Sequence, residues 1–349
     1  MHPGALGDLV QAFRAFGAVR AAYPDSRLAL LTDDALVAFA RGTQIFDAVT
    51  GFDASIAYGG TVASRLRLAA SLVVGVRRYR PDAVAVFKGS PVYAALAAAS
   101  GARWRVGLAR GAGRLLLTRA IAIDPSCHHE DRYSAVVAAL GADPRRAVPA
   151  AWPERESLVP PDVRARAWPL VGLAPGGARN VKQDLATKRW PAARFAQLAR
   201  DISVAYPNAA FVLLGGPGDR AELDEVRAAL RGPDVLDLGG RTDVPGARAA
   251  IAELDVFVGN DSGLMHVAAT TRTPAVIAFG PTDPRAIAPL VPSMHVVWSP
   301  ARDVPCYEDA AGAHRPCVNP CCIERVHVAA MRASVDAALA AAGRARRSA

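Results

Sequence analysis

The sequence predicts an α/β fold whose parallel sheets are divided over two domains, and three observations lead there. Short apolar runs of strand length alternate with stretches at helical spacing from Arg27 onward, and that alternation implies parallel strands joined by right-handed crossovers. At 349 residues the chain is long for one core and comfortable for two. Prolines cluster from Pro144 to Pro169 in a stretch without periodicity, which reads as a connection between domains. The expected division is a first domain at 1–150, a linker at 151–168, a second domain at 169–325, and a C-terminal helix with a basic tail at 326–349.

In order, the first domain opens on a loop bracketed by Gly4 and Gly7 and closed by Asp8, followed by helical spacing from Leu9 to Tyr23. Strands follow at Arg27–Thr32, Phe46–Phe52, Ala83–Phe87 and Trp104–Leu108, with helices at Ala35–Arg41, Val62–Arg78 and Pro91–Ala99. Ile121-Ala-Ile123 leads to Cys127-His-His-Glu-Asp-Arg-Tyr133 and a helix ending at Leu140. No strand precedes the opening loop, which would leave a neighbouring strand's edge bare. Either the true start lies upstream or another segment fills the gap.

The second domain begins with strand Leu170–Ala174, a long loop from Pro175 to Pro191, and helix Ala193–Val204. Strand Ala210–Leu214 runs into the glycine turn Gly215-Gly-Pro-Gly-Asp-Arg220, which lacks the Gly-x-Gly-x-x-Gly dinucleotide fingerprint. Strand Val235–Leu238, helix Gly246–Ala252 and strand Val256–Val258 come next, and a helix begins near Leu264. The last helix is expected at Val328–Ala342.

The net charge of +9 favours acidic partners, among them nucleic acid, anionic lipid and phosphorylated sugar, without choosing between them. No nucleic-acid recognition motif accompanies it, so none is expected as partner. Of the 41 basic residues only Lys88, Lys182 and Lys188 are lysines, so a lysine in a candidate site carries extra weight. Lys182 reads as solvated. The longest apolar stretch, Leu66 to Val76, is too short to span a bilayer, and Met1-His-Pro-Gly lacks the basic start and apolar core of an export signal. A cytoplasmic protein is expected. Cys127, Cys306, Cys317, Cys321 and Cys322 are then reduced thiols, with a zinc or iron site at the last four as the alternative.

The stretch that organises the chain is Asp255-Val-Phe-Val-Gly-Asn-Asp-Ser-Gly-Leu-Met-His266, followed by Phe279-Gly-Pro-Thr-Asp-Pro284. A buried strand hands over to a helix, placing the amides of Ser262, Gly263 and Leu264 where the helix dipole favours an anion. Asp261 has the wrong sign to hold that anion itself, so it either caps the helix or accepts from a hydroxyl. His266 points back toward the same mouth. Gly176 and Gly177 would let backbone amides approach a phosphate closely.

These residues resemble the donor-site signature of glycosyltransferase family 9, the ADP-heptose:lipopolysaccharide heptosyltransferases. The Gly4-Ala-Leu-Gly-Asp8 loop resembles the family's opening Gly-x-x-Gly-Asp, and Lys188-Arg-Trp-Pro191 its Lys-x-Trp-Pro element. The resemblance implies a GT-B fold, two Rossmann-like domains with parallel sheets facing a central cleft. It implies Asp8 as general base with Gly7 in the acceptor loop, and Lys188 on the donor diphosphate. His128 and Arg132, four apart on one helical face, would meet an acidic acceptor. Asp219 and Glu222 both qualify as the acid that binds the nucleotide ribose, and Thr242 would border the nucleotide.

The function expected is inverting transfer of a heptose from ADP-heptose to a hydroxyl of an acidic lipopolysaccharide-core-type acceptor. With no Asp-x-Asp in the chain, neither a metal nor a cofactor is expected, and helix amides with Lys188 would neutralise the leaving group. A monomer with peripheral contact at the inner membrane is expected. The rival readings are a family-9-like enzyme using another nucleotide sugar or a small acceptor, and a non-catalytic nucleotide-sugar binding protein.

Overall fold

The computed structural model describes the chain apart from residues 3, 125, 181–182, 231–234, 300–306, 309–312, 315–320 and 349, and apart from the side chains of 180, 183, 307–308, 313–314 and 344–348. It divides into two compact units with the boundary between Pro153 and Glu154. The expected linker therefore splits. Trp152 belongs to the first unit, its ring packed against Phe13 and Phe39. From Glu154 onward the chain is anchored in the second unit, where Arg155 pairs with Asp243 and both Ser157 and Arg164 bond Glu253.

In the first unit, strands Ala29–Asp33 and Ala48–Phe52 pair in parallel, as do Ala83–Val86, Trp104–Leu108 and Arg119–Ile121. The gap between the two groups is filled by the first two residues. His2 N donates to Leu31 O at 2.9 Å, Met1 N to Ala85 O at 2.6 Å, and Phe87 N to Met1 O at 3.1 Å. Bonds to both sides of one residue are the pattern of a parallel ladder. The chain's own opening residues thus lie along the edge that the sequence reading leaves bare. Counted as a strand, this segment gives the spatial order third, second, first, fourth, fifth, sixth.

The helical stretch expected from Leu9 to Tyr23 starts earlier and breaks once, into helices Leu6–Gln11 and Phe13–Ala22. Phe13 and Phe16 face inward, Phe16 meeting Phe46 and Phe87 edge-on and Phe13 lying tilted against Phe39. Helix Val62–Arg78 has the predicted bounds, yet none of its 17 residues is fully buried.

The second unit carries a six-stranded parallel sheet, in spatial order Val235–Asp237, Ala210–Leu213, Leu170–Ala174, Val256–Asn260, Ala275–Phe279, Met294–Trp298. Among these strands the order is again third, second, first, fourth, fifth, sixth, the doubly wound arrangement whose ligands gather where the order reverses. The three central strands read as continuous apolar runs because helices cover both faces. Helix Val328–Ser348 closes one face, with Met331, Val335, Ala338 and Leu339 in the same core as Phe195 and Ile202 of helix Ala192–Ala205. The C-terminal helix is thus part of the second unit's core.

Candidate active site

The reversal point of the second sheet lies between the ends of strands Leu170–Ala174 and Val256–Asn260. Asn260, fully buried, ties the two loops that leave them: its Nδ2 donates to Pro175 O at 2.9 Å and Gly176 O at 3.0 Å, while its Oδ1 accepts from Trp190 N at 2.9 Å. Trp190 is also fully buried and donates its indole N–H to Val326 O at 2.7 Å. The Trp-Pro element therefore fixes the loop carrying Lys188.

That fixation brings Lys188 Nζ to 2.9 Å from Asp261 Oδ2, with side-chain exposures of 11% and 4%. The Thr282 hydroxyl donates to the same carboxylate. Burial would push the Asp261 carboxyl up, but the Lys188 ammonium, the Thr282 hydroxyl and nearby His266 outweigh it and hold the group below its ordinary range. Asp261 is thus a buried anion accepting from a hydroxyl, the second of the two roles read for it. Ser262 precedes helix Gly263–Ala268 in an extended conformation and its side chain makes no cap bond. His266 is buried within that helix.

Gly177 stands at φ +90°, and a Cβ there would come within 2.6 Å of the Ser262 side chain. At Gly176 a Cβ would meet Asp219 at 2.2 Å. The two glycines let the loop press against both partners. Asp219 accepts from Gly177 N, Gly216 N and the Arg179 guanidinium, so it closes the glycine turns, and the Gly177 amide is spent on it. Glu222 pairs through Oε1 with Arg179 and Arg189, whereas its Oε2 is buried without a hydrogen-bond partner. Thr242 sits half-buried beyond strand Val235–Asp237, ahead of helix Val244–Ala252.

In the first unit Asp8 occupies the third position of helix Leu6–Gln11 and reaches back to Ala5 N at 3.3 Å. Lys88, just past strand Ala83–Val86, places its ammonium 3.4 Å from Asp8 Oδ2. Burial raises the Asp8 carboxyl, but Lys88, His2 and His129 together drive it far below its ordinary range. His2 is itself desolvated, which lowers it to about 4, and its Nδ1 is buried without a partner. Gly4 lies so close that a Cβ would touch both Asp8 and His2 within 2.8 Å. Gly7 is half-buried in the first turn of the same helix.

The His-His pair behaves differently from its reading as a sequence. His128 caps helix His129–Ala138, its Nδ1 accepting from Glu130 N at 3.1 Å, and the Arg132 guanidinium bonds Cys127 O at 3.2 Å. His129 is buried, and its charge acts on Asp8.

Sequence reasoning did not assign Lys88, Thr282 or Asn260 to a site. Lys88 carried a signal, being one of only three lysines and standing at a strand's C-terminal end. Thr282 lay inside the quoted Phe-Gly-Pro-Thr-Asp-Pro motif. Of the clustered cysteines, Cys306 and Cys317 fall outside the described residues, as does Lys182; Cys321 is an exposed free thiol and Cys322 is buried.

Comparison with known proteins bears on these features. The family described as Glycosyltransferase family 9 (heptosyltransferase) matches residues 69–314. Lipooligosaccharide heptosyltransferase 2 of Haemophilus influenzae is 36% identical over 128 residues, 35% of this chain and 34% of that one. Lipopolysaccharide heptosyltransferase 2 of Escherichia coli K12 is 35% identical over 133 residues, 37% of this chain and 36% of that one. These matches span about a third of the relatives' length. A structure of the E. coli ADP-heptose lps heptosyltransferase II superposes with TM-score 0.72 at 21% identity, covering 97% of this chain and 96% of that one. A family 9 glycosyltransferase from Veillonella parvula gives TM-score 0.65 at 21% identity over 84% and 83%. The fold is of the GT-B type, with two Rossmann-like domains, and the chain belongs to glycosyltransferase family 9.

Proposed function

We propose that this protein is an inverting, metal-independent heptosyltransferase that uses ADP-heptose and a hydroxyl of an acidic lipopolysaccharide-core-type acceptor, working at the cytoplasmic face of the inner membrane. The observation that carries the reading is the Lys188–Asp261 pair at the reversal point of the second sheet, beside Ser262 and the glycine turn.

The chemistry divides between the units. An acceptor hydroxyl gives its proton to Asp8, its oxygen bonds the anomeric carbon, and the bond from that carbon to the diphosphate breaks on the opposite face. ADP leaves with the electron pair. Asp8 is anionic across the neutral range, as a base must be. The Lys188 ammonium has three donors, so it can keep Asp261 while reaching a phosphate oxygen, and the uncapped first-turn amides at Gly263 and Leu264 supply further positive potential. Asp261 and His266 would then face the sugar. Of the two acids beyond Ala210–Leu213, Glu222 suits the ribose hydroxyls, because its Oε2 lacks a partner while both Asp219 oxygens are engaged, by Gly177 N and Arg179 on one and Gly216 N on the other. His128 and Arg132 remain the proposed contacts for an acidic acceptor, with His129 added by its influence on Asp8.

The test is a thermal-shift series with ADP, UDP and GDP, followed by ADP release from ADP-heptose with acceptor present, with and without EDTA. Selective stabilisation by ADP and EDTA-resistant turnover are expected. Preference for UDP or GDP would refute the donor, and activity lost to EDTA and restored by magnesium would refute the amide-and-lysine account.

A further inference from the structure

The chain's positive charge is not spread evenly. Residues 54–123 hold eleven Lys and Arg against the single acid Asp82, a net of +10, so the rest of the chain sums to −1 within the total of +9. Ten of the eleven are arginines, and among the described residues none of those ten lies within ion-pair distance of a carboxylate; only Lys88 does. Several bond main-chain carbonyls instead, as Arg65 does to Tyr58 O and Arg67 to Ala63 O. The second unit shows the opposite habit, with Arg155, Arg179, Arg220 and Arg227 all paired. Unpaired cations on this scale suit an anionic surface outside the protein.

Apolar side chains stand among these arginines. Helix Val62–Arg78 is apolar well beyond the side that meets the core. Leu68, Leu72, Val73 and Val76 lean on the core, whereas Val62, Leu66, Ala70 and Val74 recur every fourth residue and are exposed, Val62 by 74% and Leu66 by 66%. An apolar stripe left outside the core contact is expected to be covered by something else. A second exposed group lies where Gly113, in the 3₁₀ turn Gly111–Leu116, packs on Pro91: Val92 is 67% exposed and Leu115 is 88% exposed, with Arg110 and Arg114 alongside. Arg110 also packs near Gly89, one residue past Lys88, so this basic and apolar surface adjoins Asp8.

We infer that this face of the first unit docks on an anionic phospholipid bilayer, its arginines on the headgroups and Val62, Leu66, Val92 and Leu115 in the interfacial layer. Phosphate binding alone, as on nucleic acid, would explain the arginines but gives no use for a leucine 88% exposed next to Arg114. No helix among the described residues is long and apolar enough to cross a membrane. The placement of this face beside Asp8 serves a lipid-anchored acceptor, a link that rests on the function proposed above; the docking itself does not.

The experiment is flotation of the full chain with vesicles of equal phosphatidylglycerol and phosphatidylcholine, and with phosphatidylcholine alone, at low and raised salt. Wild type should float with the anionic vesicles only, less so as salt rises. The exposed double substitutions Leu66→Asp/Leu115→Asp and Arg65→Glu/Arg67→Glu should each weaken that binding on the order of tenfold or more, with unchanged melting and unchanged stabilisation by ADP. The inference is overturned if wild type ignores anionic vesicles, or if both double variants float as well as it does. It is equally overturned if sedimentation reveals a dimer that Leu66→Asp/Leu115→Asp dissolves, or if the face binds duplex nucleic acid in preference to vesicles. Transfer to a soluble acceptor without vesicle binding would leave the proposed function standing and remove this one; vesicle binding without transfer would do the reverse.

Discussion

Both units set a lysine against an aspartate at the same place in the same strand order, and they do it with the charges exchanged. In the first unit the acid follows the first strand and the lysine the fourth; in the second unit the lysine follows the first and the acid the fourth. The second pair is tight, at 2.9 Å, its carboxylate also holding Thr282 and its loop anchored through Trp190 and Asn260. The first is looser, at 3.4 Å, with the lysine side chain 35% exposed. The difference suits the two tasks proposed: one cation must already be in place when a diphosphate departs, while the other must release a base that takes up a proton.

The largest effect should come from the first pair. Asp8→Asn removes the only proposed proton acceptor and should lower transfer by about two to four orders of magnitude. ADP stabilisation of the protein should persist, since the proposed donor site lies in the second unit. A variant that loses ADP binding or fails to fold would assign Asp8 to structure, through its bond to Ala5.

Breaking the tight pair tests the second half. Lys188→Ala leaves Asp261 as a buried anion without its cation, which should cost about 3–5 kcal/mol of stability along with donor binding. Lys188→Met/Asp261→Asn should recover much of the stability, because no bare charge remains, but not the turnover. Recovery of both in the double variant would make the pair purely structural. Gly177→Ala is a milder test of the same region: it forces a side chain into φ +90° against Ser262 and should cost about 1–3 kcal/mol in melting. A variant that melts like wild type would show that the turn relaxes freely.

The alternation of strands and helices was legible because each element announces itself within a dozen residues. Helix Val62–Arg78 and strand Leu170–Ala174 came out with the predicted bounds. What escaped were relations across long stretches of chain. Met1 and His2 are too short to show periodicity, and they complete a sheet only through partners near Leu31, Ala85 and Phe87. Lys88 meets Asp8 from 80 residues away, and Thr282 meets Asp261 from 21. His128 and His129 are adjacent, and a one-residue difference in where the helix begins decides which caps it and which turns inward. Spacing can place a residue on a helix face, but only packing decides what that face meets.

Lys88→Met sharpens the comparison by making the looser pair looser still. With the ammonium gone, burial acts on Asp8 with less opposition and its carboxyl must rise. The acid limb of the pH–rate profile should therefore move to higher pH, with ADP binding unchanged. An unshifted limb would mean that Lys88 does not set the basicity of Asp8.

The smallest effect concerns His2, which packs with Phe16, Phe87 and Tyr133 beside Asp8. Its folded value lies near 4, below the ordinary 6.5, so the unfolded chain binds the proton more readily. Stability is then unaffected above about pH 6.5 and falls as pH drops toward 4, by no more than about 3 kcal/mol from this group. His2→Phe keeps an aromatic ring among those neighbours and removes the titration, so its melting temperature should fall less than that of wild type between those two pH values. Equal slopes would show that His2 is protonated in the folded state, with Asp8 and not its aromatic neighbours controlling its charge.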